Sequence, residues 1–334
     1  MQKATITVLA AVLIFCALMG GFLLELFRFS GKPGGTDINV QIVNVPPGQG
    51  SKATAADLYA RGIITNAFKF NLYARIKGYD KQIKAGEYRL APSYSPKQIF
   101  NIIVSGKVRL YKITIPEGYN LAQIAAMMPA AGLGPAEDFL KTAHKGSLVR
   151  EYNIPGDSFE GYLFPDTYHF PKGVSADKII QTLVRRFREV FIAEWEKRAR
   201  EKQLTVHQVV TLASIIEKET GEPSERSIIS SVFHNRLKKN MRLASDPTVI
   251  YGIKGFNGNL TRKDLRTLTP YNTYKIKGLP PGPIANPGAK AIKAALYPAK
   301  TNYLYFVSKK DGTHQFSTNF KDHEKAIRKY QLRR

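Results

Sequence analysis

The sequence predicts an α+β protein carried on a single membrane-spanning helix. Three observations lead there. From Ala4 to Leu24 the chain runs 21 residues without a charge, ATITVLAAVLIFCALMGGFLL, between Lys3 and Glu25; roughly 20 apolar residues cross a bilayer core as a helix. Beyond that run, helical periodicities and short strand-like segments mix without a regular βαβ rhythm, the mark of α+β rather than α/β. A strand–Pro-x-Gly–helix pattern also occurs twice, at Pro46-Pro47-Gly48 and again at Pro116-Glu117-Gly118, suggesting two small αβ units.

The elements follow in order. A cleaved signal peptide competes for the N-terminal run, but its apolar region is usually only about 7–15 residues, so an uncleaved anchor is expected. GKPGGTD (31–37) reads as a linker, and DINVQIVNVPPG as a strand closed by a Pro-Gly turn. Thr54 is the expected N-cap of a helix through ADLYARGII, followed by a second helix over AFKFNLYARIKG and a strand in GEYRLAP. Ser95-Pro96 opens PKQIFNIIVSG as cap and first helical residue. VRLYKITIPEG then repeats the opening strand and turn, with Gly132 behind its helix as Gly62 is behind the first. Downstream come an aromatic-rich loop (158–173), a long basic helix over about 175–202, and helical stretches to about Leu237. The turn-rich last hundred residues carry a strand in YLYFV and a closing helix in DHEKAIRKYQ. The expected division is 1–30 for a cytoplasmic stub and anchor, 31–108 for a small αβ subdomain, and 109–334 for a larger mixed α+β domain.

Composition excludes several classes. The 334 residues are 43% hydrophobic and 11% aromatic, enough for packed cores and against wholesale disorder. The single cysteine, Cys16, lies within the apolar run and excludes a disulfide scaffold. One spanning segment excludes a multi-span transporter. Fifty basic against 26 acidic side chains leave a formal charge of +24, a field that attracts nucleic acid, anionic lipid or an anionic wall polymer. An anchor favours the last two. The runs KRAREK and IRKYQLRR are then solvated helix faces, and no nucleic-acid partner is expected.

The segment TVHQVVTLASIIEKETGEPSERSIISSVFHNRL (205–237) carries the strongest chemical signal. On a wheel of about 100° per residue with Val206 at zero, Val210 falls at about 40°, Ala213 at about 340° and Glu217 at about 20°. Glu219 falls on the opposite side, at about 220°. Glu217 thus shares the apolar face, near a helix end expected at Gly221. Burial and the negative end of the helix dipole both raise a carboxyl pKa there. A carboxylic acid kept protonated in an apolar wall is what a glycosidase uses as general acid. The competing reading is an interior glutamate paired to an arginine such as Arg226 or Arg236. Further on, LASDPTVIYG holds Asp246, and TPYNTYKIKGLPPGPIANPG holds Tyr271, Asn272 and Tyr274 in a stiff Pro/Gly loop suited to stacking on and hydrogen-bonding sugars. His314 and Asn319 are weaker candidates. No HExxH, paired Cys/His spacing, phosphate loop or GxSxG elbow occurs, so neither a metal nor a cofactor is expected.

At these residues the chain resembles the endolytic murein transglycosylase family, the YceG-like proteins. The matching stretches are EGYLFPDTY (160–168), ASIIEKET (213–220), SVFHNRL (231–237), SDPTVIYG (245–252), YNTYKIKGLPPGPIANPG (271–288) and YLYFVSKKDGTHQFS (303–317). GEYRL (86–90) resembles, more faintly, the family's LysM-like subdomain. The resemblance implies a single-pass inner-membrane protein, its C-terminal domain periplasmic, that cleaves within peptidoglycan glycan strands beside peptidoglycan synthases such as penicillin-binding proteins. It implies that Glu217 is the catalytic acid–base and that Tyr271 and Asn272 line the saccharide groove; Tyr274 and Asp246, close by in the same loops, are expected as further members of the groove. The product would be a 1,6-anhydro-muramic end. Two other readings stay open: a muramidase-type hydrolase with Asp246 or Glu219 as second carboxylate, and a non-catalytic wall-binding protein.

Overall fold

In the computed structural model, which describes residues 2–332, the chain divides into two units, Met1–Tyr111 and Lys112–Arg334. The first opens with α1 (Gln2–Gly31), whose segment Thr5–Gly31 has a mean hydropathy of 2.6 and whose apolar side chains stand exposed along most of its length. Then come β1 (Gln41–Val45), α2 (Ser51–Ala60), α3 (Ala67–Lys77), β2 (Gly86–Leu90) and α4 (Pro96–Ser105). β1 and β2 pair antiparallel, Gln41 opposite Leu90 and Val45 opposite Gly86. Alternation along β1 sends Val43 and Val45 inward, where Leu58, Phe70, Tyr88, Phe100 and Ile103 close the core. Leu26 of α1 is 1% exposed within this same core, so the C-terminal end of α1 is built into the unit.

Local signals explain most boundaries. Ser95 and Gln98 form a reciprocal capping box with Pro96 in the first turn of α4. α2 starts three residues before the expected Thr54 cap. Gly50 holds the N-cap position, and the Thr54 hydroxyl instead donates to the Gly50 carbonyl from within the first turn. The reason is that Ser51 and Thr54 are buried against neighbouring elements, where a mid-turn hydroxyl can back-bond. The internal repeat appears in the backbone itself: Gly62 and Gly132 have φ of 69° and 70°. The next residues bond alike, Ile63 to the Leu58 carbonyl and Leu133 to the Met128 carbonyl.

The second unit takes up β3 (Leu110–Thr114), which begins at the boundary, and continues with α5 (Leu121–Met127), α6 (Ala136–Ala143), α7 (Gly146–Glu151) and β4 (Thr167–Pro171). It continues through α8 (Ala176–Val190), α9 (Ala193–Glu201), α10 (Val206–Glu219), α11 (Arg226–Lys238), α12 (Asp246–Tyr251), α13 (Arg262–Arg266) and α14 (Ala289–Leu296). β5 (Tyr305–Ser308), β6 (His314–Ser317) and α15 (Phe320–Ile327) close the chain. β3 pairs with β4 and β5 with β6, so the aromatic loop at 158–173 contains a strand. The expected long basic helix is two helices, broken at Phe191–Ile192, where Phe191 turns inward to pack on Phe187 and Trp195.

α10 is the axis of this unit. It packs against α9, α11, α12 and α14, and Val209–Ile216 are buried without interruption. A helix enclosed on every side gains roughly 1.5–3 kcal/mol for each large aliphatic side chain it buries. Near its end only Lys218 reaches solvent, while Glu217 and Glu219 on either side of it are enclosed.

Candidate active site

A capping box between Thr205 and Gln208 starts α10, and the helix stops at Glu219, which puts Glu217 in its last turn. The Glu217 side chain is only 7% exposed. Its Oε2 accepts the backbone N–H of Gly288 at 2.9 Å, and its Oε1 accepts from Arg226 Nη2 at 3.3 Å. Burial pushes the Glu217 pKa up; the Gly288 amide and Arg226 pull against it, and the nearby Glu117 carboxylate reinforces the rise. The arginine of the competing sequence reading is therefore present, yet desolvation outweighs it.

The loop carrying Gly288 is strapped down by Asn286, which is fully buried. Asn286 Oδ1 accepts from the Leu163 N–H, and its Nδ2 donates to the Tyr119 carbonyl and to Glu160 Oε1. Its main chain bonds Tyr119 and Gly118 in both directions, and Ser214 of α10 accepts the Ile284 N–H. The turn at 117–121, the end of α10 and the 284–288 loop thus form one hydrogen-bonded block around Glu217. Gly288 leaves room there for Glu117: a Cβ on it would fall onto the Glu117 carboxyl in its present position.

Beside this block lies an open cleft of about 880 Å³, lined among others by Gly118, Leu121, Glu160, Lys218, Tyr251 and Phe256. Glu217 itself is not in the lining. It stands behind Gly118, whose open Cα face lies within ordinary contact of the Glu217 and Lys218 side chains. The volume, mixed polar and apolar walls and open form suit an extended saccharide better than a small enclosed ligand.

Glu160 is the buried carboxyl of the cleft, 5% exposed. Its Oε2 accepts from the Leu121 N–H and the Tyr251 hydroxyl, yet burial lifts its pKa to about 7. The sequence reading passed over Glu160, Glu117, Asn286 and Gly288. Glu160 and Asn286 lie in the stretches that carry the family resemblance, but only packing distinguishes a buried Glu160 from an exposed one.

The other expected residues fall in three places. Tyr271 packs on Tyr251, ring centroids 4.8 Å apart, on the Glu160 side. Asn272 is fully buried, with Nδ2 donating to the carbonyls of Asp264, Leu265 and Thr267 and Oδ1 accepting from the Tyr274 N–H. Its amide is occupied by the loop that bears it. Tyr274 donates to Asp246 Oδ1 at 2.6 Å, beside Glu219.

Glu219 departs from the helical wheel, which turned it away from the apolar face. Its carboxyl accepts from Ser245 Oγ at 2.5 Å, and burial together with Asp246 raises its pKa to about 7, against the pull of His314 and Arg236. The wheel takes that side for solvent, whereas Ser245 and Asp246 cover it at the last turn. Of the weaker candidates, His314 meets Glu225 at 2.7 Å and Asn319 caps α15. Among the described residues, no group of three or more His, Cys, Asp or Glu side chains is arranged to hold a metal ion.

Comparison with known proteins gives these residues a context. The profile of the YceG-like family matches residues 43–329. The endolytic murein transglycosylase of Bacillus subtilis (strain 168) is 34% identical over 315 residues, 90% of this chain and 86% of the relative. That of Streptococcus pneumoniae serotype 2 (strain D39) is 29% identical over 85% of this chain, which spans 57% of that longer protein. A crystal structure of a YceG-like protein from Listeria monocytogenes superposes with a TM-score of 0.60 at 38% identity, over 86% of this chain and 98% of the other.

Proposed function

The chain belongs to the YceG-like family, and we propose that it is a lytic transglycosylase of peptidoglycan in which Glu217 carries the proton. One observation carries the assignment of the residue: a carboxyl enclosed at the end of a buried helix, its pKa raised in spite of an arginine within hydrogen-bond distance. Such a group holds a proton into the range where a glycosidic oxygen needs one.

Protonated Glu217 donates to the oxygen joining N-acetylmuramic acid C1 to N-acetylglucosamine, and the C1–O bond breaks as the leaving sugar regains its hydroxyl. The muramic N-acetyl group supports the developing positive charge at C1. The Glu217 carboxylate then takes the proton of the muramic C6 hydroxyl as O6 bonds to C1, leaving a 1,6-anhydro end. The nucleophile is held within the substrate, so no second carboxylate has to position water. The Gly288 N–H and Arg226 stabilise the carboxylate between the two transfers, and Lys218 and Tyr251 offer polar contacts along the cleft. Tyr271 supports the Tyr251 wall, while Asp246 and Tyr274 form the border beside Glu219.

The apolar α1 supports single-pass anchoring, with the second unit on the outer side of the cytoplasmic membrane, where peptidoglycan and its synthases lie. The strand–helix–helix–strand order of β1, α2, α3 and β2 supports reading the first unit as LysM-like.

Mass spectrometry of peptidoglycan digested by the full chain tests the assignment. Anhydro-ended fragments are expected from the wild type and none from Glu217→Gln. Reducing muramic ends would make the protein a hydrolase, and equal cleavage by both proteins would remove Glu217 from the reaction.

A further inference from the structure

α1 and α3 meet where α1 loses its uncharged character. Glu25, the first charged residue after the apolar run, pairs with Lys69 of α3. Two residues on, Phe27 packs edge-on against Tyr73, centroids 6.2 Å apart, and Lys77 Nζ lies 5.2 Å from the Phe27 ring. Lys69, Tyr73 and Lys77, spread over about 12 Å of α3, are thus all met by Glu25 and Phe27 of α1. α3 therefore lies beside the point where the apolar run ends, which is the bilayer surface if α1 spans a bilayer.

The row of α3 next to Lys69, Tyr73 and Lys77 is Phe68, Leu72 and Ile76, spaced at four residues and so sharing one face. Phe68 is 68% exposed and Ile76 is 47% exposed, while Leu72 is half-buried. Arg75 and Lys77 stand exposed beside them. A short apolar stripe flanked by cations, next to the exit of an anchor, has the composition of an interfacial helix, with apolar side chains at the acyl boundary and cations among anionic headgroups.

We propose that the Phe68–Leu72–Ile76 face of α3 lies in the headgroup region of the same bilayer that α1 crosses, with Arg75 and Lys77 toward anionic lipid. This rests on the reading of α1 as a bilayer anchor. The contact would hold the first unit flat on the membrane through two elements rather than let it swing from one.

Single-tryptophan variants of the full chain test it. With the one native tryptophan removed as Trp195→Phe, a tryptophan is introduced as Phe68→Trp, Ile76→Trp or, within the anchor, Phe15→Trp. Each protein is reconstituted in phosphatidylglycerol–phosphatidylethanolamine vesicles with brominated or ordinary acyl chains. Emission from Phe68→Trp and Ile76→Trp is expected to fall about twofold or more in the brominated vesicles, as it does for Phe15→Trp. Quenching of Phe15→Trp alone would overturn the proposal and leave the anchor standing. No quenching of Phe15→Trp would overturn the anchor reading, and the proposal with it.

Discussion

Gly288 donates its backbone N–H to Glu217 Oε2 at 2.9 Å, and the absence of a side chain on Gly288 leaves the space that the Glu117 carboxyl fills. One residue thus both hydrogen-bonds the proposed acid and admits a second negative charge beside it. Gly288→Ala should test that double role. Its φ of −76° accommodates alanine, and Glu117 is exposed enough to swing aside, so thermal stability should change little. Displacing Glu117 and the loop from Glu217 should lower anhydro-end formation by roughly 10–100-fold, the scale on which small misplacements act. Unchanged turnover would separate the loop from the chemistry.

The charges around Glu217 predict opposite pH effects. Glu117 disfavours ionisation of Glu217 and Arg226 favours it. Glu117→Gln should therefore lower the Glu217 pKa and move the alkaline limb of kcat/KM to lower pH. Arg226→Gln should move the same limb to higher pH, with a loss of stability from leaving Glu217 unpaired. Profiles of both variants against the wild type check the signs, and shifts in the same direction would contradict them.

Glu160 links the cleft to folding stability. Its folded-state pKa of about 7 lies above the ordinary 4.5. The stability it contributes is therefore fully present below about pH 4.5 and lost as pH rises to about 7. Glu160→Gln removes this slope, so the variant should gain on the wild type by on the order of 3 kcal/mol across that window. Glu219 titrates in the same range, so the variant should keep the part of the wild-type slope that Glu219 contributes. Denaturant midpoints of the full chain in detergent, taken from pH 4.5 to 8, measure the difference.

Asn272 should report on stability before substrate. Asn272→Ala removes the amide that ties together the carbonyls of Asp264, Leu265 and Thr267, of which Asp264 keeps the Thr267 N–H. The expected loss is roughly 1–2 kcal/mol, from the hydrogen bonds of a fully buried amide that hold the 264–267 turn. A variant as stable as the wild type but weakened in glycan binding would instead assign the amide to the groove.

Much of this was legible in the sequence where a single local rule applied. The apolar run, the Ser95-Pro96 start of α4, the 70-residue repeat and the placement of Glu217 on the buried side of α10 each follow from side-chain chemistry along a few turns of chain. The break at Phe191–Ile192 was not legible, because it depends on a buried surface that draws Phe191 inward. Nor was the burial of Glu219, because a helical wheel does not record that Ser245 and Asp246 fold over that side of the last turn of α10.

The sequence by itself determined where most helices and turns form, which segment is apolar enough to cross a membrane, and that a glutamate would be desolvated near a helix end. Periodicity, capping and hydrophobic burial act over short distances and leave their mark in residue order. Only the tertiary structure decided that Glu217 keeps company with Gly288, Glu117 and Arg226, that Glu160 is held by Asn286, and that Asn272 is turned inward. These groups lie 9–126 residues apart in the pairs that bond to the two carboxyls. The strength of each contact depends on how much water the surrounding core has removed, which no stretch of chain records on its own.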